Sequence, residues 1–439
     1  MEMAERMDRP NFLSLTNTWI LCAIFLVFAS VYGFSFERGS LNSIAGVDQQ
    51  VAAGAGDAGR NSLLKAQETA IYLLSLACIL PMIKPVWKQV KRNGLIFSML
   101  GWAILSVIWS DMPSTSAFNA LRMAIDLLLV IYLFERYSAN DIQKLVLLVG
   151  YVAAAGSVFM VFALPQYGLQ LRGSSSLGAW EGIFGQKNLC GLMMLILLLP
   201  AFFVKLNGAY ARMLRGGYIV TTLIIIAMTR SAGGWVVSAL CLAFVALLKL
   251  TMRMPRKDAV VMVVALTGTA AVAGLVVFAN YDTLMYALGK DPTMTGRTEL
   301  WPGLIHLAML RPLRGYGYMA FWQQGLATGP SRGLALQLGW PGLAGAESGI
   351  LELFLELGVI GLLLYFVIFV RAVKDAFYCL GREASPAALW YISILFYVVA
   401  SNIEGGILLY PSDLSCILPF IAFVGLRREA QLLRERQIA

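Results

Sequence analysis

Charged side chains are scarce in this sequence. Only 13% of its 439 residues are Asp, Glu, Lys or Arg, whereas a typical soluble protein carries about 25%. Hydrophobic residues make up 59% of the chain, and the mean hydropathy is +0.72. This composition excludes a soluble globular enzyme, a disordered chain and a fibrous repeat protein. The apolar residues form continuous runs rather than the alternating pattern of outer-membrane barrels. The sequence therefore predicts an all-α polytopic membrane protein.

Metal-binding and redox motifs are also missing. The six cysteines occur singly, mostly within apolar runs, which predicts neither disulfides nor a zinc site. His306 is the only histidine, and a lone histidine cannot build a metal site. We expect it to pack within a short amphipathic stretch of a loop. The prediction is therefore a protein without a metal or another cofactor.

Twelve apolar runs approach the length of about 20 residues that a membrane helix needs. Only residues 229–234 separate the seventh run from the eighth. The runs are residues 18–34, 69–83, 94–109, 117–134, 145–164, 189–204, 217–228, 235–248, 259–280, 349–370, 388–400 and 414–426.

The distribution of basic residues predicts the orientation. With the N-terminus in the cytoplasm, the cytoplasmic segments hold 22 of the 34 Lys and Arg residues, as the positive-inside rule requires. Both termini are then cytoplasmic, and residues 281–348 form a large outer loop before the tenth helix. The predicted organisation is helices one to nine in residues 1–280, this loop, and helices ten to twelve with a cytoplasmic tail in residues 349–439. Helix anchoring explains the net charge of +9, so no nucleic-acid partner is expected.

Several charged residues fall on the outer side despite this rule. The outer loop holds Lys290, Arg297, Arg311, Arg314 and Arg332, and other outer segments hold Arg122, Arg172, Glu181, Lys187, Arg230 and Glu404. Converging Arg and Lys side chains beside glycine-rich turns suit a diphosphate, because guanidinium groups fork onto phosphate oxygens. The alternative for each charge is a solvated or interfacial position without a ligand.

Five segments carry a resemblance to a known family: GIFGQKNLCG, TRSAGG, TGRTELWPGLIHLAMLRPLRGYGYMAFW, ESGILELFLELGVIGLLLYF and SNIEGGILL. On these motifs, within residues 172–409, the chain resembles the O-antigen ligase/polymerase superfamily of bacterial envelope glycosyltransferases, and within it the exopolysaccharide polymerases. The resemblance implies a GT-C-like fold in the bacterial inner membrane and a site facing the periplasm. It also implies a donor glycan linked to undecaprenyl diphosphate.

The resemblance further implies roles for individual residues. Relatives place a His-Asn pair just before the tenth helix, where this chain has Glu347 and Ser348. Glu347 is therefore the predicted general base, since a carboxylate can accept a hydroxyl proton. Helix capping is its alternative role. If Glu347 is not the base, the next candidates are Glu404, Glu181 and His306. The residues implied to bind the donor diphosphate are Arg172 or Lys187, Arg230, Arg297 and Arg314.

Glu352 and Glu356 follow Glu347 within the apolar run of the tenth helix. Carboxyl groups at membrane depth are costly when they are isolated. We expect each of them to pair with a basic residue of the helix bundle.

Three functions remain open from the sequence. The first is a metal-independent polymerase that extends a lipid-linked repeat unit. The second is a ligase that moves a finished glycan onto lipid A core or another acceptor. The third is a transporter of an anionic lipid or solute, although no internal repeat of the kind common in transporters is visible. Membrane lipids and the lipid-linked oligosaccharide are the expected partners, and the resemblance adds flippase and chain-length regulator proteins.

Overall fold

The structure is a computed structural model that describes residues 15–29, 69–171, 177–255, 257–258, 260–266, 268, 297–322, 329–340, 343, 345–382, 384–402, 408–411 and 413–438. Helices dominate these ranges. The only β-type pairing among the described residues is an isolated antiparallel bridge between Leu169 and Trp180. This agrees with the predicted all-α class.

The helices that position the site are numbered here in chain order. A 3-10 turn at Leu80–Met82 interrupts α2, and similar turns at Ser106–Ile108 and Leu199–Phe202 extend α3 and α6. The helices are α1 (Leu15–Ala29), α2 (Thr69–Arg92), α3 (Gly94–Leu105), α4 (Pro113–Arg136), α5 (Ala139–Ala163), α6 (Lys187–Leu198), α7 (Ala209–Met228), α8 (Ala232–Thr251), α9 (Arg297–Leu310), α10 (Pro330–Gln337), α11 (Gly349–Leu380), α12 (Pro386–Ser401) and α13 (Leu414–Ile438).

Local sequence signals explain where several helices begin. Ser138, Ser231 and Ser385 each accept a hydrogen bond from the amide three residues later, at 3.2, 3.1 and 3.0 Å. Such caps satisfy amides that have no partner inside the helix. Proline occupies the first position of α4 and α12, where its missing N–H costs nothing.

Among the described residues, six helices are long and apolar enough to cross a membrane: α2, α4, α5, α7, α8 and α11. Shorter apolar stretches lie in α1, α3, α6 and α12. Within the described residues, a helix overlaps each predicted apolar run; most of the ninth run, residues 259–280, lies outside the described part of the chain, but residues 260–266 and 268 are helical. The seventh and eighth runs are separate helices, as predicted. The chain is therefore a polytopic α-helical membrane protein.

The apolar core is centred on α12 and α13. α13 packs along α12, α11 and α4, while α8 packs on the other side of α12. Trp390 and Tyr391 are fully buried, and a β-carbon at Gly425 would overlap the Tyr391 ring. Phe244 of α8 stacks on Phe396 of α12 with ring centroids 4.1 Å apart. These contacts fix the bundle against which α11 and the site are held.

The predicted outer loop contains two helices, α9 and α10. They enclose a small apolar core of their own, in which Leu304, Phe321 and Leu334 are buried together with Leu355 of α11. This satellite core attaches the segment before α11 to the first turns of that helix. The candidate site therefore lies on a packed segment of the protein.

Candidate active site

α11 is broken at Gly358, whose φ of +66° and ψ of −170° are not helical. A break leaves amides and carbonyls without partners inside the helix. The amides beyond the break, of Val359 and Ile360, donate to the Pro312 and Leu313 carbonyls at 2.8 and 3.3 Å. The sequence predicted one continuous tenth helix, and this break corrects that expectation.

The carbonyls before the break are satisfied by the same segment. Tyr316 donates its amide to the Leu355 carbonyl, and Gly317 donates to the Glu356 carbonyl, both at 2.9 Å. Residues 312–317 are therefore hydrogen-bonded to both sides of Gly358. We call this arrangement the clamp.

Glycine is required where the two backbones of the clamp meet. A β-carbon at Gly315 would lie 2.5 Å from the Glu356 carbonyl oxygen, and one at Gly358 would lie 2.5 Å from the Arg314 nitrogen. Real β-carbons do not approach backbone atoms this closely. Both glycines also have positive φ, near +66°, which side chains with a β-carbon rarely adopt.

The end of α3 supports the clamp from a third side. The Trp102 indole donates to the Leu357 carbonyl, and the Trp109 indole donates to the Arg314 carbonyl, each at 3.0 Å. The Ser106 hydroxyl accepts the Tyr318 amide at 3.0 Å. Two distant parts of the chain, the end of α3 and the break of α11, thus hold the backbone around Arg314.

Arg311, just before the clamp, and Arg314, within it, have different surroundings. Arg311 forms an ion pair with Asp111 at 2.6 Å, and its guanidinium lies 4.5 Å from the Tyr316 ring centroid. This pairing gives Arg311 a structural role that the sequence did not predict. The Arg314 side chain is exposed, with its guanidinium 6.0 Å from the Trp109 ring centroid. Of the two, Arg314 has the more exposed side chain and no ion pair among the described residues.

The backbone just before Glu347 is held by three side chains. The Trp301 indole donates to the Ala346 carbonyl at 2.9 Å, while the Glu352 carboxylate accepts the Ala346 amide at 2.5 Å and the Trp322 indole N–H. These are the partners of Glu352 among the described residues, and no basic side chain of that part of the chain is one of them. The carboxylate instead organises the entry to α11.

Glu347 itself is exposed and has a left-handed backbone, with φ of +54°. Ser348, not Glu347, is the N-cap of α11, since its hydroxyl accepts the Leu351 amide at 3.5 Å. The N-cap position therefore belongs to Ser348, and a favourable interaction of the Glu347 charge with the helix N-terminus stays the alternative role. Non-glycine residues with positive φ are uncommon and cluster at functional sites.

A second group of predicted residues lies where α6, α7 and α8 meet. Glu181 is only 5% exposed, and burial raises the pKa of its carboxyl to about 7, opposed by the nearby positive charge of Lys187. Arg230, with φ of +50°, donates from its guanidinium to the Leu177 carbonyl at 2.8 Å. The structure brings Glu181 and Lys187 together and ties Arg230 to the same loop.

The remaining predicted residues are placed less completely. Arg172 and Glu404 lie outside the described residues, as does the side chain of Arg297, although its backbone begins α9. His306 lies on α9, but it is exposed, so the prediction of a packed histidine is wrong. His306 is exposed because it lies on the face of α9 that points away from the satellite core.

Glu347 and Arg314 are mounted at opposite ends of one structural unit. Glu347 precedes the first part of α11, residues 349–357, and the Arg314 backbone contacts the break that ends it. A helical segment of about nine residues is roughly 14 Å long. Hydrogen bonds hold the backbone at both ends, so the residues that carry an exposed carboxylate and an exposed guanidinium are attached at a defined separation along α11. This arrangement suits a substrate with a hydroxyl to be deprotonated and an anionic group to be bound.

These features define a multi-pass α-helical membrane protein with a broken helix that has an exposed carboxylate at its start and an exposed guanidinium at its break. Residues 217–366, from α7 into α11, match the family model of the O-antigen ligase. The chain is also 27% identical over 338 residues to the exopolysaccharide production protein ExoQ of Rhizobium meliloti (strain 1021), covering 73% of this chain and 75% of the relative. The matches confirm the predicted resemblance to the O-antigen ligase/polymerase superfamily and support a ligase- or polymerase-type role in polysaccharide synthesis.

Proposed function

We propose that the protein is a polysaccharide polymerase of the bacterial inner membrane. It transfers a glycan from undecaprenyl diphosphate to the non-reducing end of a second lipid-linked repeat unit, at the periplasmic face and without a metal ion. Membrane lipids surround it, and flippase and chain-length regulator proteins supply and limit its substrate. The support is the similarity to an exopolysaccharide production protein together with the clamp geometry.

In the proposed reaction, Glu347 accepts the proton of the acceptor hydroxyl. The hydroxyl oxygen then attacks the anomeric carbon of the donor glycan, and the bond from that carbon to the diphosphate oxygen breaks. Undecaprenyl diphosphate leaves with the bonding electron pair. Arg314, with Arg297, Arg230 and Arg172 or Lys187 as further cations, stabilises the negative charge that grows on the leaving group.

One observation carries this proposal: Arg314 and Glu347 belong to the same rigid unit. The clamp fixes the Arg314 backbone on the break of α11, and the Trp301–Ala346–Glu352 contacts fix the chain just before Glu347. Groups held in place before the substrate arrives lower the entropic cost of the reaction. Within the described residues, no three His, Cys, Asp or Glu side chains form a metal-binding group, so cationic side chains are the proposed stabilisers.

A ligase is the second candidate, because the matching family model bears the description O-antigen ligase. The two functions share the donor and differ in the acceptor. The ligase would place one finished glycan on lipid A core or another acceptor, whereas the polymerase would extend a lipid-linked chain stepwise.

Turnover of a purified lipid-diphosphate oligosaccharide by the purified protein tests both functions. A ladder of products on a gel indicates polymerisation, and one shifted acceptor band indicates ligation. A parallel reaction with EDTA tests metal independence, and we expect the same ladder there. Loss of activity in EDTA that magnesium or manganese restores would contradict the metal-independent mechanism. If wild-type protein that is shown to be folded forms no product in any arm, the transferase proposal is contradicted.

A further inference from the structure

A cavity of about 510 Å³ lies at the end of α11 remote from the candidate active site. Residues of three helices line it, α3, α11 and α13. Its volume falls within the range of about 300–1,000 Å³ that is typical of small-molecule sites. Arg371 in its wall lies thirteen residues beyond the Gly358 break, roughly 20 Å along the helix. The cavity is therefore separate from the clamp and from Glu347.

One part of the cavity is apolar and open to the surroundings of the bundle. Leu95 of α3 and Phe366, Val367 and Val370 of α11 form it. Phe366 is 60% exposed and Val367 is 48% exposed. In a membrane these side chains face hydrocarbon, so this wall is suited to an acyl chain.

The next turn of α11 is basic. Arg371 and Lys374 are three residues apart and so lie on one helix face, following directly after the apolar wall. Both are exposed. Within the described part of the chain, neither forms an ion pair with a carboxylate. Their charge is available to an anion from outside the protein.

α13 supplies a third cation. Arg434 lines the cavity and forms an ion pair with Asp375 at 3.1 Å, while its guanidinium lies 4.9 Å from the Tyr378 ring centroid. Asp375 is buried and also lines the cavity. Three cations and one carboxylate leave a net charge of +2 around the polar end.

We propose that this cavity binds an anionic phospholipid of the leaflet opposite the active site. One acyl chain lies along the apolar wall, and the phosphate lies between Arg371, Lys374 and Arg434. The order of the two parts along α11, apolar and then basic, matches the order of chain and headgroup in a lipid. Basic pockets between membrane helices are suited to anionic headgroups. The inference is independent of the transferase reaction, and its test requires no turnover.

Native mass spectrometry of the delipidated full-length protein in detergent tests the site. The probes are phosphatidylglycerol and phosphatidylcholine with identical acyl chains. We expect the wild type to retain phosphatidylglycerol in preference to phosphatidylcholine. The double variant Arg371→Ala/Lys374→Ala should bind phosphatidylglycerol at least about tenfold more weakly, since each hydrogen bond to a charged group typically contributes about tenfold or more.

A matched control separates this site from general surface charge. Lys84 and Lys88 of α2 are exposed and lie on the same predicted side of the membrane, so Lys84→Ala/Lys88→Ala should bind both lipids as the wild type does. Arg371→Lys keeps the positive charge and should keep most of the phosphatidylglycerol binding. It therefore separates loss of charge from disruption of the cavity. Gel filtration and thermal unfolding establish that each variant is folded.

Two further arms distinguish a lipid from a free phosphate. Val367→Trp fills the apolar wall without changing the charge and should weaken phosphatidylglycerol binding. Glycerol phosphate at the same concentration as the lipid should not displace it. Equal retention of the two lipids, unchanged binding by the folded Arg371→Ala/Lys374→Ala variant, or full displacement by glycerol phosphate would each overturn the proposal.

Discussion

Gly358 packs directly against the backbone of Arg314: a β-carbon at Gly358 would lie 2.5 Å from the Arg314 nitrogen. The contact joins positions 44 residues apart in the sequence. It holds a candidate diphosphate-binding arginine against the break of the helix that begins beside Glu347. Substitution at either glycine of the clamp therefore acts on the site through the backbone.

Gly358→Ala should destabilise the protein strongly. The new β-carbon meets backbone atoms that cannot move aside as a flexible side chain could, and alanine is strained at φ of +66°. Overpacking typically costs about 1–3 kcal/mol and backbone strain a similar amount. Thermal unfolding in detergent should show a markedly lower midpoint. Gly101→Ala in α3 is the control, because nothing lies within 4 Å of its added β-carbon and alanine favours a helix. Equal midpoints for the two variants would contradict the importance of the clamp.

Glu347→Gln should remain folded, bind donor and lose at least about a hundredfold in rate, since general bases typically contribute 10²–10⁴-fold. The amide keeps the size of the side chain but cannot accept the proton. Glu347→His should retain part of the activity, because relatives of the family use histidine at this position. The measurement is single-turnover transfer from the lipid-linked donor.

Ser348→Ala provides the matched control next to Glu347. It removes the cap of α11, which should cost about 1 kcal/mol of stability and leave the rate within a few-fold of the wild type. A near wild-type rate for Glu347→Gln would show that Glu347 is not the base.

The helices of this bundle were largely predictable from the sequence because their signals are local. The separation of α7 and α8, for example, follows from Ser231, which caps α8 only three residues after α7 ends. The break in α11 was not predictable in the same way. Gly358 lies inside an apolar run, where glycine alone is tolerated in a membrane helix. Only residues 312–317, distant in sequence, supply the hydrogen bonds that stabilise the break.

The candidate site was predictable in part for the same reason. The resemblance to the O-antigen ligase/polymerase superfamily pointed to Glu347 and Arg314. Composition and spacing alone do not separate Arg314 from Arg311, because the pairing of Arg311 with Asp111 joins residues 200 positions apart. Glu352 was visible as a buried carboxyl, but its partners, an indole and a backbone amide, depend on the fold of α9 and α10.

Arg314→Ala should weaken donor use by about ten- to a hundredfold, since hydrogen bonds to charged groups contribute roughly 1.5–3 kcal/mol. Arg314→Lys should rescue only in part, because an ammonium group cannot fork onto a diphosphate. Donor KM and single-turnover rate measure the effect. Arg311→Ala is the contrast: the ion pair with Asp111 is structural, so stability should fall while donor use by the folded fraction changes little. If Arg311→Ala weakens donor use and Arg314→Ala only lowers stability, the roles assigned to the two arginines are exchanged.

The segment of α9 and α10 should face the periplasm, as the distribution of basic residues predicts. In a cysteine-free background, Glu299→Cys on the exposed surface of α9 should react with a membrane-impermeant maleimide in intact spheroplasts. Lys88→Cys, exposed on α2, should react only after lysis. Labelling of Lys88→Cys alone in intact cells would reverse the topology and place the candidate site on the cytoplasmic face.

The last prediction concerns the buried carboxyl of Glu181. Its pKa rises from 4.5 in an exposed setting to about 7 in the folded protein, mainly because of burial. Between these two values the folded protein holds a proton that the unfolded chain has released. The free energy of unfolding therefore falls as the pH rises from about 4.5 to about 7, by about 3 kcal/mol in total.

Glu181→Gln keeps the size of the side chain and removes the titration. It should match the wild type in thermal midpoint near pH 4.5 and exceed it at pH 8. Glu299→Gln, which alters an exposed carboxyl, is the control variant. If Glu181→Gln follows the wild type at both pH values, the carboxyl is not held protonated by burial. In that case only the position of Glu181 in the structure would support it as an alternative general base.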